Sequence, residues 1–316
     1  AKEMGVKDAG LKEGDREKEA TQARKDLDEF LRRQKVLFTH GDLQVEYDTT
    51  YIQDSSDIIP VRSNFRSVST GPFIRYGLAD DTELDVFVPF VFTERTINPR
   101  YSRIQTNPPQ TYTRRDDSGL GDVSGALRYS AFHEEGLIPE TTLSLNVKSD
   151  TGHVRSALGT GFWNIGGTVS LVKTLDPVVF GSLGYTAVLP GDGIDPGDQI
   201  PYSFGMGFSL NDRVSFSMAL NGAALLRTSI DKAQSVYVST GTGNAQRLVT
   251  VGDVGTVPGT GGNISTLQFT STIQLARHLF LEPFVGVGLT NESTDFVAGL
   301  NIPFRFEEKF PLPFVK

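Results

Sequence analysis

The sequence predicts an all-β fold: a transmembrane antiparallel β-barrel of about twelve strands, preceded by an N-terminal α-helix. Three observations predict it. From Gly41 onward, apolar and polar residues alternate with period two. The connections between these segments switch regularly between tight and long. No stretch approaches the roughly 20 apolar residues that a membrane helix needs, whereas a spanning strand needs about ten, with every second one apolar.

Composition agrees with this reading. The 316 residues include 33 Gly, 21 Phe and no Cys. Glycine serves hairpin turns and close strand packing, and aromatics populate the two girdles of such a barrel. A cysteine-free chain fits an oxidising export route. The net charge of −8 argues against a nucleic-acid partner, which requires a basic surface to displace counterions. The polar start, Ala1 to Gly14, carries no signal peptide, so an exported protein would be represented here by its mature or trimmed chain.

The chain divides into three parts. Residues 1–37 form a helical plug or linker, 38–306 the barrel, and 307–316 a C-terminal extension or expression remnant. Glu13 to Lys35 is dense in charge and free of Pro, with apolar residues at Ala20, Ala23, Leu27, Phe30 and Leu31. That stripe is close to a heptad seam on a charged helix. So narrow a stripe is marginal alone in water. Leu27, Phe30 and Leu31 are therefore expected to lie against copies of the helix or inside a polar pore; a solvated arm is the alternative.

The strands follow. Leu43, Val45, Tyr47, Thr49 and Tyr51 alternate with Asp42, Gln44, Glu46, Asp48 and Thr50. Leu84, Val86, Val88, Phe90 and Phe92 alternate with Asp85, Phe87, Pro89, Val91 and Thr93. The pattern returns around Leu143–Val147, Tyr202–Leu210, Val214–Leu220 and Leu267–Leu275. Short turns are expected at Gly77–Asp81, His133–Pro139, Leu175–Pro177, Leu210–Arg213 and Ala276–His278. Long loops are expected at Thr96–Ser118, Asp150–Thr160, Pro190–Pro201, Thr228–Gly262 and Thr290–Thr294. A soluble sandwich has no reason to keep such parity, whereas outer-membrane barrels pair short periplasmic turns with long external loops. The parity predicts a bacterial outer-membrane location, lipid as the outer partner, and both termini on the periplasmic side. The last strand closes on an outward aromatic, Phe306.

About twelve strands leave room for a narrow pore, or a pore plus one inserted helix. Inward alternation assigns carboxylates Asp42, Glu46, Asp48, Asp85 and Glu282 to the bore, with the cations Arg75, Arg95, Arg128, Lys148 and Arg305. Such a mixed lining passes polar chains and discriminates weakly among ions. Equally, these charges pair across the lumen and stabilise it. An apolar substrate would need a hydrophobic ladder, for which Phe73, Phe87, Phe180 and Phe284 are candidates.

The charged helix resembles a feature of the outer-membrane secretion porins of Fap functional-amyloid systems. So do the junction Val36-Leu37-Phe38-Thr39-His40-Gly41-Asp42, the strand count with its loop parity, and Ser118-Gly119-Leu120-Gly121-Asp122. The last motif also resembles a wider group of barrels linked to phenol degradation. The resemblance implies a homotrimer, a helix plugging each barrel, a periplasmic coiled coil further upstream, and export of secreted amyloid subunits. Two other functions stay open: a diffusion channel for small, including aromatic, molecules, and the translocator of an autotransporter.

No catalytic, cofactor or metal chemistry is predicted. His133 and His278 fall in short turns, His153 in a long loop and His40 at the junction, none mid-strand beside a Ser and Asn. Zinc spacing is absent. Asp192, Asp195 and Asp198 read as a solvated turn rather than a calcium loop. The glycines between Gly252 and Gly262 lack the strand–helix context of a phosphate loop.

Overall fold

The computed structural model describes residues 38–58, 61–99, 113–190, 197–211, 213–226, 234–239, 246–251, 262–276, 278–291, 293–306 and 308–310. The helix expected over 13–35, with Leu27, Phe30 and Leu31, lies outside the described residues.

The strands β1 (Leu43–Ile58) and β2 (Val61–Ala79) form a long hairpin. The next wall stave comes in two halves, β3 (Thr82–Phe87) and β4 (Phe90–Pro99), both paired to β2. The stave after it is also split. β5 (Thr113–Leu120) pairs with β4, and β6 (Ser124–Phe132) pairs with β3. Then β7 (Glu140–Lys148), β8 (Asn164–Lys173), β9 (Val178–Val188), β10 (Gln199–Asn211) and β11 (Val214–Leu225) follow as neighbours. A separate hairpin, β12 (Gln234–Ser239) with β13 (Gln246–Val251), interrupts the chain. The wall resumes with β14 (Asn263–Ala276), β15 (Leu279–Gly288) and β16 (Phe296–Arg305). β16 pairs with β1, Ile302 opposite Tyr47, and closes the sheet on itself. With each split stave counted once, the ring has twelve antiparallel strands.

Period two then fixes the faces. On β1, Gln44, Glu46, Asp48 and Thr50 are buried while Tyr47 is exposed. Around the ring, Leu127, Leu145, Val169, Leu183 and Phe204 point outward and are exposed. An outer band of this kind suits lipid rather than water. Aromatics mark its two edges: Tyr51, Phe92, Trp163 and Phe296 towards the long loops, and Tyr129, Phe132, Phe304 and Phe306 towards the short turns. The Phe304 and Phe306 rings meet edge-on with centroids 5.0 Å apart, and Phe306 meets Phe310 at 5.7 Å.

Two expected boundaries move. β4 reaches Pro99 and β5 begins at Thr113, so Arg114 to Ser118 is strand rather than loop. Beyond the lipid band both faces of a strand are wet, and period two disappears from hydropathy although the ladder continues. The long connection from Thr228 likewise contains the β12–β13 hairpin.

Candidate functional site

At the short-turn end of the bore, cross-strand neighbours form a buried ion cluster. Arg75 faces Asp85 and Glu83 faces Arg128 in the ladder register. The Arg75 Nε and Nη2 donate to Glu83 Oε1 at 3.0 and 2.7 Å. Arg128 Nη2 lies 2.8 Å from Asp85 Oδ2. Two cations and two carboxylates thus compensate one another at a site from which water is excluded.

Phe38 enters this cluster from the chain side. It is 2% exposed, and its backbone N–H donates to Glu83 Oε2 at 3.1 Å. The guanidinium carbons of Arg75 and Arg305 each lie 4.8 Å from its ring centroid. Arg305 Nη2 in turn reaches Asp42 Oδ2 at 2.9 Å. So the chain approaches β1 from within the bore mouth, not around its outside. The turn that follows is held tightly against β2. Gly41 has φ 81°, and its N–H donates to Gly77 O at 2.9 Å. A Cβ on Gly77 would stand 2.0 Å from the Thr39 carbonyl oxygen. Gly77→Ala is therefore expected to cost roughly 1–3 kcal/mol, because the obstructing atom is backbone. A lowered unfolding midpoint on heat-dependent gel mobility checks this; an unchanged midpoint counts against the packing.

The extension past the last strand joins the same mouth. Phe310 N–H donates to Gly41 O at 2.7 Å, and Tyr76 Oη donates to Phe310 O at 2.6 Å. Residues 308–310 therefore underpin the junction rather than trail from it.

Midway along the bore, Glu282, Asn301 and Asp48 sit side by side on β15, β16 and β1. Thr272 Oγ1 donates to Glu282 Oε1 at 3.1 Å. Glu46, Asp48, Glu282 and Asn301 are all buried. Arg95 faces the bore nearer the long loops.

The long-loop end is lined differently. Ile52, Phe65, Leu225, Ile264, Phe284 and Val297 form one buried apolar cluster contributed by six strands. The connection from β7 to β8 folds inward and brings Ala157 against it. Thr93 Oγ1 donates to Ser156 O at 3.0 Å, and Ser156 Oγ donates to Asp117 at 3.2 Å. The anchor of this loop is Asp122. Lys148 Nζ lies 2.7 Å from Asp122 Oδ2. Asp122 also accepts the N–H groups of Gly152 at 2.9 Å and Thr160 at 2.8 Å. Lys148 Nζ donates further to Thr160 Oγ1 and to Phe162 O. Gly159 permits the approach, since a Cβ there would lie 2.2 Å from Asp122 Oδ1. The split of β5 from β6 falls at Gly121–Val123 and turns Asp122 inward.

All ten charged residues assigned to the bore lie on its inner face or at its mouth. Arg75, Arg128, Lys148, Asp85, Asp42 and Arg305 are engaged in ion pairs. Phe73, Phe87, Phe180 and Phe284 face inward too. Sequence reasoning gave Phe38 and Glu83 no role of their own, and named only Phe284 of the apolar cluster. Ile52 was legible by parity from Thr50, and Glu83 by parity from Asp85.

One arrangement has the elements of a hydrolytic site. Ser130 Oγ lies 3.4 Å from His133 Nδ1, and His133 Nε2 lies 3.1 Å from Asp81. The serine hydroxyl, however, donates to Glu140 Oε1 at 2.6 Å. In this arrangement its proton is directed at a carboxylate rather than at the imidazole. The group ties a short turn to the wall.

No protein-family model matches the chain. The closed twelve-strand ring is similar to that of a crystallised outer membrane channel from Pseudomonas putida F1. The TM-score is 0.58 at 12% identity, over 86% of this chain and 97% of that one. The fold is a closed twelve-strand antiparallel β-barrel. Weaker likenesses include the translocator domain of the autotransporter NalP from Neisseria meningitidis, with TM-score 0.42 and 11% identity over 92% of this chain and 96% of that one. Another is the CymD monoaromatic hydrocarbon channel, with TM-score 0.39 and 8% identity over 87% of this chain and 90% of that one.

Proposed function

We propose that this chain is a gated outer-membrane pore, closed at rest by its own segment 13–34 lying in the bore. The carrying observation is Phe38, which leads into β1 from inside the bore mouth and is held there by Glu83, Arg75 and Arg305. The mixed-charge, buried inner wall supports a bore that is filled at rest and polar once emptied. A narrow polar bore of about twelve strands suits an extended polypeptide, and the resemblance makes secreted amyloid subunits the cargo, with a homotrimer as the assembly. The short-turn end with both termini faces the periplasm in this reading, and the inward loop closes the external exit.

The test is single-channel conductance in planar bilayers, comparing the full chain with one starting at Phe38. Low or intermittent current that becomes large and steady on truncation supports the plug. Equal currents reject it.

A second reading rests on the apolar cluster at the long-loop end: a diffusion channel for small, including aromatic, molecules. It requires that such molecules cross with segment 13–34 in place. Uptake by the full chain in liposomes, unchanged by truncation, would favour it.

A further inference from the structure

A groove of about 560 Å³ crosses the outer wall over β1, β2, β4 and β5, at the long-loop edge of the lipid band. Its floor is Tyr51, Val68 and Phe92, which stand opposite one another in the register. Its rim is Arg66, Glu94 and Asp116, two residues further along the strands, and Arg114, four residues further. Period two places all of these on the outward face. Arg114 Nε lies 3.2 Å from both Asp116 oxygens, and its Nη2 lies 3.6 Å from Glu94. Arg66 is exposed and has no ion-pair or hydrogen-bond partner among the described residues. Among the described cations of the wall, Arg75, Arg95, Arg128 and Lys148 face the bore. Below the floor, exposed Phe90 and Leu120 stand opposite each other and continue an apolar track towards the middle of the band.

A bare anion does not fit this groove, because three carboxylates, Glu94, Asp116 and Asp117, outnumber the two arginines that line it. A phosphorylated sugar bearing acyl chains fits every part. Its phosphate meets the unpartnered guanidinium of Arg66, which offers paired N–H donors. Its hydroxyls donate to Glu94 and Asp116. Its ring rests on Tyr51 and Phe92, and its chains descend over Phe90 and Leu120. We propose that this groove binds the headgroup of a phosphorylated glycolipid of the outer leaflet. The assignment rests on the proposed orientation, in which the long-loop end is external.

The experiment uses the full chain in detergent micelles and measures binding of bisphosphorylated lipid A. The comparisons are its dephosphorylated form, phosphatidylglycerol and inorganic phosphate. Lipid A is expected to bind, and Arg66→Glu to weaken it about 10-fold or more, with Arg66→Lys restoring part of the loss. Dephosphorylation is expected to weaken binding comparably. Resistance of the barrel to dissociation on unheated gels shows that each variant is folded. Lipid A binding unchanged in folded Arg66→Glu overturns the proposal. So does equal binding of phosphatidylglycerol, or of inorganic phosphate, which would mark the groove as a general anion patch. Orientation is read separately in intact cells with an impermeant maleimide, since the chain has no native Cys. Labelling of Asp150→Cys but not Leu137→Cys supports the external long-loop end. Labelling of Leu137→Cys alone overturns the orientation, and with it a glycolipid occupant.

Discussion

Asp122→Ala is expected to release residues 150–162 from the bore while leaving the twelve-strand ring closed. The carboxylate holds Lys148, both backbone donors of Gly152 and Thr160, and the Thr160 hydroxyl. Removing it leaves Lys148 buried, at 2% exposure, without its countercharge. Breaking a buried pair from one side costs roughly 3–5 kcal/mol. That loss falls on the loop, because the ladder bonds of β6, β7 and β8 do not involve either side chain. Hydrogen exchange over 150–162 is therefore expected to accelerate about a hundred-fold or more, with the wall strands little changed. Adding Lys148→Met should recover only the part of the loss that comes from the unpaired charge, since the Gly152 and Thr160 N–H groups still lack their acceptor. Exchange over 150–162 that matches the parent would reject the anchor. In bilayers the released loop should also disturb the apolar seal at Ala157 and raise current noise.

The ring was legible in the sequence because lipid imposes a strict rule: every second residue of a spanning strand must be apolar. β1, β10, β11 and β16 obey it openly. The rule lapses above the band, which is why β4 and β5 read as loop around Arg114–Asp117. It is also masked on the split stave. Gly119, Gly121 and Asp122 carry no outward apolar side chain, because their task is to bend the wall and bring Asp122 to Lys148. Inward charges could be assigned by parity, but not their pairing. Whether Arg75 meets Glu83 or lines open water depends on ladder register and on what fills the bore. Phe38 carried no periodic signal at all. It precedes the first strand, and its place is set by two arginines 37 and 267 positions away in the chain (at Arg75 and Arg305), whose guanidinium carbons lie 4.8 Å from its ring.

Glu83→Ala addresses that placement. Glu83 receives both the Arg75 guanidinium and the Phe38 N–H. Without it, Arg75 keeps only a longer approach to Asp85, at 3.7 Å, and Phe38 keeps only its ring contacts. The local cost is roughly 3–5 kcal/mol, since a buried guanidinium loses its closest countercharge. Each ring contact returns about 0.5–2 kcal/mol, too little to hold the junction alone. If segment 13–34 closes the bore and Phe38 is its hinge pin, the full-length variant is expected to conduct at rest. Its current should approach that of the chain starting at Phe38. The same substitution in the truncated chain should add nothing, because no plug remains to release. Phe38→Ala in the full chain should act in the same direction and more weakly. A Glu83→Ala barrel that is less stable but silent would separate the two roles. The ion cluster would then be a structural clasp, and whatever closes the bore would be held elsewhere.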